Sequence, residues 1–279
     1  MPARPIDPEV PAHLRDAQGF SPPIHRYEPS EDLATLVRRH WLPVWDLADD
    51  RETVQRVLQY PVPVLVVGPE NAVLSGPRTG LSTQRLAGSG WAVGVLFQPA
   101  AGFLLTGRPV RELLDTVVDA STVAAVHDSG LVPALREVMG RDPGDAAARQ
   151  RAVALVEATL RALLPVDEEG LLVNDLLQRV EDDSDLLRVD QLADGLGMSE
   201  RTLQRLCSRR IGIGPKWLVQ RRRLQEVAER LARDGTPDLA GVAADLGYAD
   251  QAHLTRDFRK VTGLTPGEYA AEPRPPAVG

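Results

Sequence analysis

The chain has 279 residues, 43% of them apolar and 25% charged, with a net charge of −7 and one cysteine, Cys207. This near-average composition excludes a disordered chain, a coiled-coil rod and a disulfide-stapled scaffold. The acidic balance argues against a general polyanion binder, yet it is uneven: Arg188 to Glu272 carries 14 Lys and Arg against 12 Asp and Glu, so the acidity lies in the rest of the chain.

Residues 1–24 mix prolines with charges of both signs, which predicts a flexible tail without the apolar stretch of a signal peptide. Apolar runs such as PVPVLVV and WAVGVLF fall short of the ~20 residues needed to cross a bilayer. With a lone cysteine, this places the protein in the cytoplasm with no membrane partner. From 25 to 110 the texture is β-rich. Thr53–Leu58, Val62–Val67, Ala72–Leu74 and Trp91–Phe97 read as strands, parted by the turn signals GPEN, SGPRTG and AGSG. Eight of the twelve aromatics, among them Trp41, Trp45, Trp91 and Phe97, fall within residues 1–110 and give this domain a core.

Residues 111–169 turn helical. In DPGDAAARQRAVALVEATLRALLP, the residues Val153, Val156, Leu160, Leu163 and Leu164 form one apolar stripe. Two uses of that stripe stay open: dimerisation or relay between domains, and packing on the chain's own β domain. Residues 170–272 read as helix throughout, broken at GIGP (212–215) and DGTP (234–237), with KWLVQRRRLQEVAERLARDG as one helix between them. Residues 273–279 form a tail.

The helical part contains a repeat. Ala193 to Gly197 and Ala243 to Gly247 share A-x-x-L-G, Leu203 to Arg205 and Leu254 to Arg256 share L-x-R, and Gly212 to Pro215 and Gly263 to Pro266 share G-x-x-P. Each copy reads as helix, glycine turn, capping residue (Ser199 or Asp250) and second helix, the pattern of a helix-turn-helix. At 100° per residue, Leu203, Leu206 and Cys207 face inward, and Arg201, Arg205, Ser208 and Arg209 face out. In the second copy Leu254, Phe258 and Val261 face inward, Ala252, Arg256 and Arg259 face out, and His253, Thr255 and Lys260 lie on the shoulders. An exposed arginine on one helix is usually a solvated charge. Finding it two residues past the buried leucine in both copies favours recognition of a base edge in the major groove of double-stranded DNA. The joining helix, about 19 residues or roughly 28 Å, could hold both reading helices in major-groove faces about 34 Å apart, with its Arg221, Arg222 and Arg223 placed for phosphates or, for one or two of them, for pairing with Glu226 at helical spacing.

GYADQAHLTRDFRKVTGLTPGEY resembles the C-terminal signature of the AraC/XylS transcription regulators, and GMSERTLQRLCSRRIGIGPKWLVQRRRLQEVAERL resembles that family's first unit and connecting helix. The resemblance implies an AraC-type DNA-binding domain over 170–272. It assigns base reading to Arg201, Arg205, Ala252 and Arg256, beside phosphate contacts expected at Arg209, Arg221, Arg222, Arg259 and Lys260. Ala249 and Ala252 stand where the family commonly has serine, and Cys207 and Leu254 where it has an aromatic. More loosely, residues 25–110 resemble the small β-barrel sensor domains of that family. The expected fold is therefore α+β: a small β-barrel-like (cupin-like) domain, a helical linker (111–169) and an all-α domain with two helix-turn-helix motifs.

No other chemistry competes. The histidines His13, His25, His40, His127 and His253 lack metal-ligand spacing, so no metal or cofactor is expected. His127-Asp128-Ser129 cannot form a triad as sequence neighbours, and no G-x-S-x-G elbow or phosphate loop is present. Cys207 falls on a core face, where a free thiol acts as a small apolar group. The protein reads as a regulator and not an enzyme. Open at this level are a small-molecule effector on the β domain, a homodimer, a regulator governed by its abundance or by a protein partner, and the rival of a β-barrel enzyme or binding protein with a helical docking part.

Overall fold

The computed structural model describes residues 5–6, 13–14, 20–48, 51–58, 60–183, 185–234 and 238–271. Most of the segment read as a flexible tail (1–24) and all of the tail 273–279 lie outside them. The fold is α+β, with strands first and helices last. The strands are β1 (Pro5–Ile6), β2 (His13–Leu14), β3 (Ile24–Tyr27), β4 (Val37–Asp46), β5 (Glu52–Leu58), β6 (Val64–Val67), β7 (Ala72–Ser75), β8 (Leu81–Ala87), β9 (Ser89–Trp91), β10 (Val93–Phe97) and β11 (Val117–Asp119).

The larger sheet runs β1-β3-β4-β10-β6-β7-β11, with β9 extending β4, and a second sheet runs β2-β5-β8. Every pairing among the described residues is antiparallel. The expected barrel does not close: among the described residues no strand joins the edges β1 and β11, and the domain is an open sheet with a smaller one beside it. The stretch expected as one strand, Trp91–Phe97, is split at Ala92 although both pieces follow β4 in one register: Ala92 N donates to Pro43 O at 3.1 Å, and Pro43 has no N–H to give back.

An antiparallel sheet commonly leaves one face in water and alternates apolar with polar residues. Here both faces are covered. Val93, Val95 and Phe97 of β10, with Leu65 and Val67 of β6, point into one core, while the intervening Leu96, Val64 and Val66 join a second core on the opposite face. That two-sided burial is the physical reason for the unbroken apolar runs PVPVLVV and WAVGVLF. Two glycines admit tryptophans on the neighbouring strand. Trp41 pairs with Gly94 and Trp45 with Gly90. A Cβ on Gly94 would sit 2.0 Å from Trp41 Cε2, and one on Gly90 would sit 2.4 Å from Trp45 Cζ2. The indoles thus occupy space that only glycine leaves free.

The helices α1 (Ala101–Thr106), α2 (Ala124–His127), α3 (Leu131–Arg141) and α4 (Ala146–Leu160) cover the first face. Ala152, Val153, Val156 and Leu160 of α4 are buried in its core, with Leu163 and Leu164 packed against it. This settles the use of the apolar stripe: it seats α4 on its own β domain. A polar strap accompanies it. The Glu157 carboxylate accepts from Ser30 N at 2.7 Å and from Ser30 Oγ, with His40 Nε2 3.5 Å away on β4. Burial alone would raise the Glu157 pKa, but the hydrogen bonds and the nearby imidazole outweigh it and hold the carboxyl at about 2.

On the other face lie α5 (Glu168–Asp182), α6 (Val189–Gly195), α7 (Glu200–Arg210) and the first half of α8 (Pro215–Asp234). Their apolar residues share a core with Val62, Val64 and Leu96 of the β domain. The second half of α8 belongs to a third core with α9 (Leu239–Asp245), α10 (Gln251–Thr262) and α11 (Pro266–Ala271), through Leu224, Val227, Ala228 and Leu231. One helix therefore serves two cores. None of the described helices is long and apolar enough to cross a membrane.

Candidate nucleic-acid interface

The pairs α6–α7 and α9–α10 are built alike, as the sequence repeat requires. In each, the first helix ends on a left-handed glycine, Gly197 at φ 64° and Gly247 at φ 68°, a region where a Cβ is strained. The hydrogen bonds match: Gly197 N donates to Asp194 O and Met198 N to Ala193 O, just as Gly247 N donates to Ala244 O and Tyr248 N to Ala243 O. Both are Schellman closures, in which the two amides past the helix satisfy its last carbonyls. The second helices open on the expected caps. Ser199 Oγ accepts from Thr202 N at 3.2 Å, and Asp250 Oδ1 accepts from His253 N at 2.7 Å.

The helix faces follow the same rule. Leu203, Leu206 and Cys207 on α7 and Leu254 and Phe258 on α10 are buried. Arg201, Arg205 and Arg209 on α7, and Ala252, Arg256, Arg259 and Lys260 on α10, are exposed. Arg201, Arg205 and Arg256 make no hydrogen bond or ion pair among the described residues, so these guanidiniums are open to a ligand. Gln204 and Gln251 share the exposed faces and offer amide groups of the kind that read adenine. Being uncharged, they carry none of the signal that singles out the arginines in the sequence.

Two expected phosphate contacts are corrected. Arg221 and Arg222 are buried, 6% and 8% exposed. Three consecutive arginines span a wide arc of a helix, and α8 has a core on either side, so they turn inward. The Arg221 guanidinium lies 5.0 Å from the centre of the Tyr60 ring and donates to Gln225 Oε1 at 3.1 Å, and burial lowers its pKa from the usual range. Arg222 Nη2 is 3.7 Å from Glu226 Oε2. Arg223 sits 3.9 Å above the Tyr248 ring. Arg221 and Arg223 thus tie the joining helix to its neighbours, while Arg222 pairs within it. Tyr60 also receives Arg38 at 5.0 Å, and Arg38 in turn pairs with Glu181 of α5, so a charged, aromatic joint links the β domain to α5 and α8. No local pattern in the sequence announces that joint, since its members are far apart along the chain.

At the end of α7 the neighbours are acidic. Asp167 caps α5 by accepting from Gly170 N at 2.9 Å, and with Glu169 it grips Arg210, which is 4% exposed and stacks 4.3 Å from the Phe103 ring of α1. The bond from Arg210 leads the influences that hold the Asp167 carboxyl below its usual range. The other Glu169 oxygen takes Arg209, which is 51% exposed. Past the helix, Gly212 at φ 85° runs against the Val110 carbonyl, where a Cβ would meet the oxygen at 2.8 Å. Cys207 is fully buried, and burial pushes its thiol up to about 12, as suits a packing group.

Two repeated helix-turn-helix units, each with an outward arginine face and joined by one shared helix, define the class of domain. Residues 192–272 match a helix-turn-helix domain family, and residues 25–119 match a domain of unknown function (DUF6597). A Streptomyces lividans protein provisionally named an AraC-like transcription regulator is 35% identical over 88 residues, 32% of this chain and 29% of that protein. The HTH-type transcriptional regulator VirS of Mycobacterium tuberculosis is 38% identical over 82 residues, 29% of this chain and 24% of that protein. The C-terminal part of the chain is thus an AraC-type helix-turn-helix domain. The matched segments span about a quarter to a third of these relatives' length. Among solved structures, ToxT from Vibrio cholerae O395 aligns over 93% of this chain and 97% of its own at 9% identity, with a TM-score of 0.38. The C-terminal domain of AraT from Geobacillus stearothermophilus aligns over 40% of this chain and 94% of its own at 23% identity, with a TM-score of 0.34.

Proposed function

We propose that this chain is a sequence-specific DNA-binding transcription regulator whose helices α7 and α10 enter neighbouring major-groove faces of one duplex. The observation that carries this reading is the duplicated geometry: two helices with the same turn, the same cap position and the same buried leucine each present unpaired arginines outward. Arg201, Arg205 and Arg256 read base edges, and Ala252 offers a methyl contact of the sort that favours thymine. Arg209, Arg259 and Lys260 meet phosphates. The helix between the units, 20 residues long, spans about 30 Å, close to the ~34 Å between groove faces on one side of B-DNA.

In this reading residues 25–110 form a sensor domain, 111–169 a linker and 170–272 the DNA-binding domain, within a cytoplasmic protein. An effector is the finer part of the proposal. An open cleft of about 480 Å³ between β7, α2 and α3, bordered by Glu70, His127 and Arg136, has the size of a small-molecule site. A homodimer would have to use surfaces other than the α4 stripe, which is already engaged. The test is selection from random duplexes with the purified full chain. Enrichment of one sequence containing two short conserved blocks on one face of the helix supports the reading, and binding without enrichment sinks it.

A further inference from the structure

The end of α7 carries a contact that this function does not require. Arg209 stands on the same outward face as Arg201 and Arg205, where a phosphate would be met, yet its guanidinium is already joined to Glu169. Glu169 lies in the first turn of α5, where the helix N-terminus favours a carboxylate. Arg209 lies in the last turn of α7, where the helix C-terminus favours a cation. The contact is anchored from behind. Arg210, buried against Phe103 of the β domain and held by Asp167 and Glu169, fixes the carboxylate's position relative to α7.

We propose that Glu169 is a built-in competitor for DNA phosphate: it occupies Arg209 in the free protein and so weakens the first reading unit's grip on a duplex. The proposal rests on the DNA-binding reading above and adds regulation to it. A carboxylate and a phosphate oxygen both accept charge-assisted hydrogen bonds from guanidinium, so the two acceptors exclude each other at Arg209. Arg210 couples the mask to the β domain. Any rearrangement that shifts Phe103 relative to α5 moves the residue that positions Glu169. The pair is half-exposed, so the mask is a graded brake and not a lock.

The experiment compares the wild-type chain with Glu169→Gln, Arg209→Gln and the double variant on the duplex selected by the wild type, measuring affinity across a salt series. Glu169→Gln should bind roughly two- to fivefold tighter, the range set by releasing an exposed ion pair. The slope of log affinity against log salt should steepen by up to about 0.9, because Arg209, which reaches a phosphate only in the share of wild-type complexes where Glu169 lets go, does so in all complexes of the variant. Arg209→Gln should cost more in the Glu169→Gln background than in the wild type, and the double variant should show no gain over Arg209→Gln alone. Unchanged affinity and slope for Glu169→Gln overturn the proposal. So does an equal gain from Glu169→Gln when Arg209→Gln is already present, which would mark a general loss of negative charge. Thermal melting of each variant guards against a loosened Arg210; if Glu169→Gln melts early, Glu169→Asp, which shortens the reach to Arg209 while keeping the charge, should still raise affinity, and failure to do so counts against the mask. A wild-type chain that selects no duplex refutes the function itself and is thereby told apart from failure of the mask.

Discussion

Arg205 and Lys260 carry the same charge on similar exposed helices, but a duplex should use them differently. A guanidinium can form two parallel bonds to guanine, worth about 1–3 kcal/mol of discrimination, whereas an ammonium beside a phosphate carries no sequence information. Arg205→Ala should therefore relax preference at one base step of the selected site. Lys260→Ala should weaken binding evenly across sequences and flatten the salt slope by about one unit. Arg221 gives the contrasting case. Buried against Tyr60, it should cost roughly 1–3 kcal/mol of stability on replacement by Ala, as other losses of buried partnered groups do. The salt slope of duplex binding should not change, and thermal unfolding beside a salt titration reads both numbers. The outward arginines were legible because each reading helix has one core and hence one open face. Arg221 and Arg222 were not, because α8 is covered on two sides and periodicity alone cannot show a second cover.

At the scale of the element, the turn chemistry was written plainly in the sequence. Glycines at Gly197 and Gly247 and caps at Ser199 and Asp250 are local devices, and they formed where their spacing put them. The β domain was harder. The ten-residue strand β4, VRRHWLPVWD, mixes charge, proline and aromatics, and β8, LSTQRLA, is mostly polar, so neither alternates cleanly. Their strand character comes from partners distant in sequence. The Trp41–Gly94 pair shows how tightly those partners constrain each other. Gly94→Val must displace the indole ring, and overpacking of this kind costs typically about 1–3 kcal/mol. The expected result is a lowered denaturation midpoint, with partial recovery when Trp41→Leu is added. A midpoint unchanged by Gly94→Val would show that the pair has room the geometry denies.

Across the whole molecule, one acid–base strap bears on stability. Glu157 has a folded-state pKa of about 2 against an ordinary value of 4.5. A depressed carboxylate stabilises the folded state above its unfolded value, and the stabilisation disappears as the pH falls from about 4.5 towards 2. Glu157→Gln should therefore lower stability at neutral pH and flatten the acid limb of a stability–pH curve, and an unaltered limb would assign acid unfolding to other groups. The three-core organisation itself could not be read from composition or period. It depends on Val62, Val64 and Leu96 reaching α5 and α7 across the sheet, a meeting that no local pattern encodes. Acidic side chains of α5 bind it on both sides, Glu181 pairing with Arg38 of β4 and Glu169 with Arg209 of α7.

Because the two units pack against opposite halves of α8, the length of that one helix sets their separation, like the distance between two teeth on a key. A site with one base pair added between its halves turns the far half by about a tenth of a revolution, and no slack in a hinge can absorb it. Binding measured on a ladder of spacer lengths should peak at a single rung and collapse on either side. A regulator assembled from two separately tethered readers would instead tolerate several rungs.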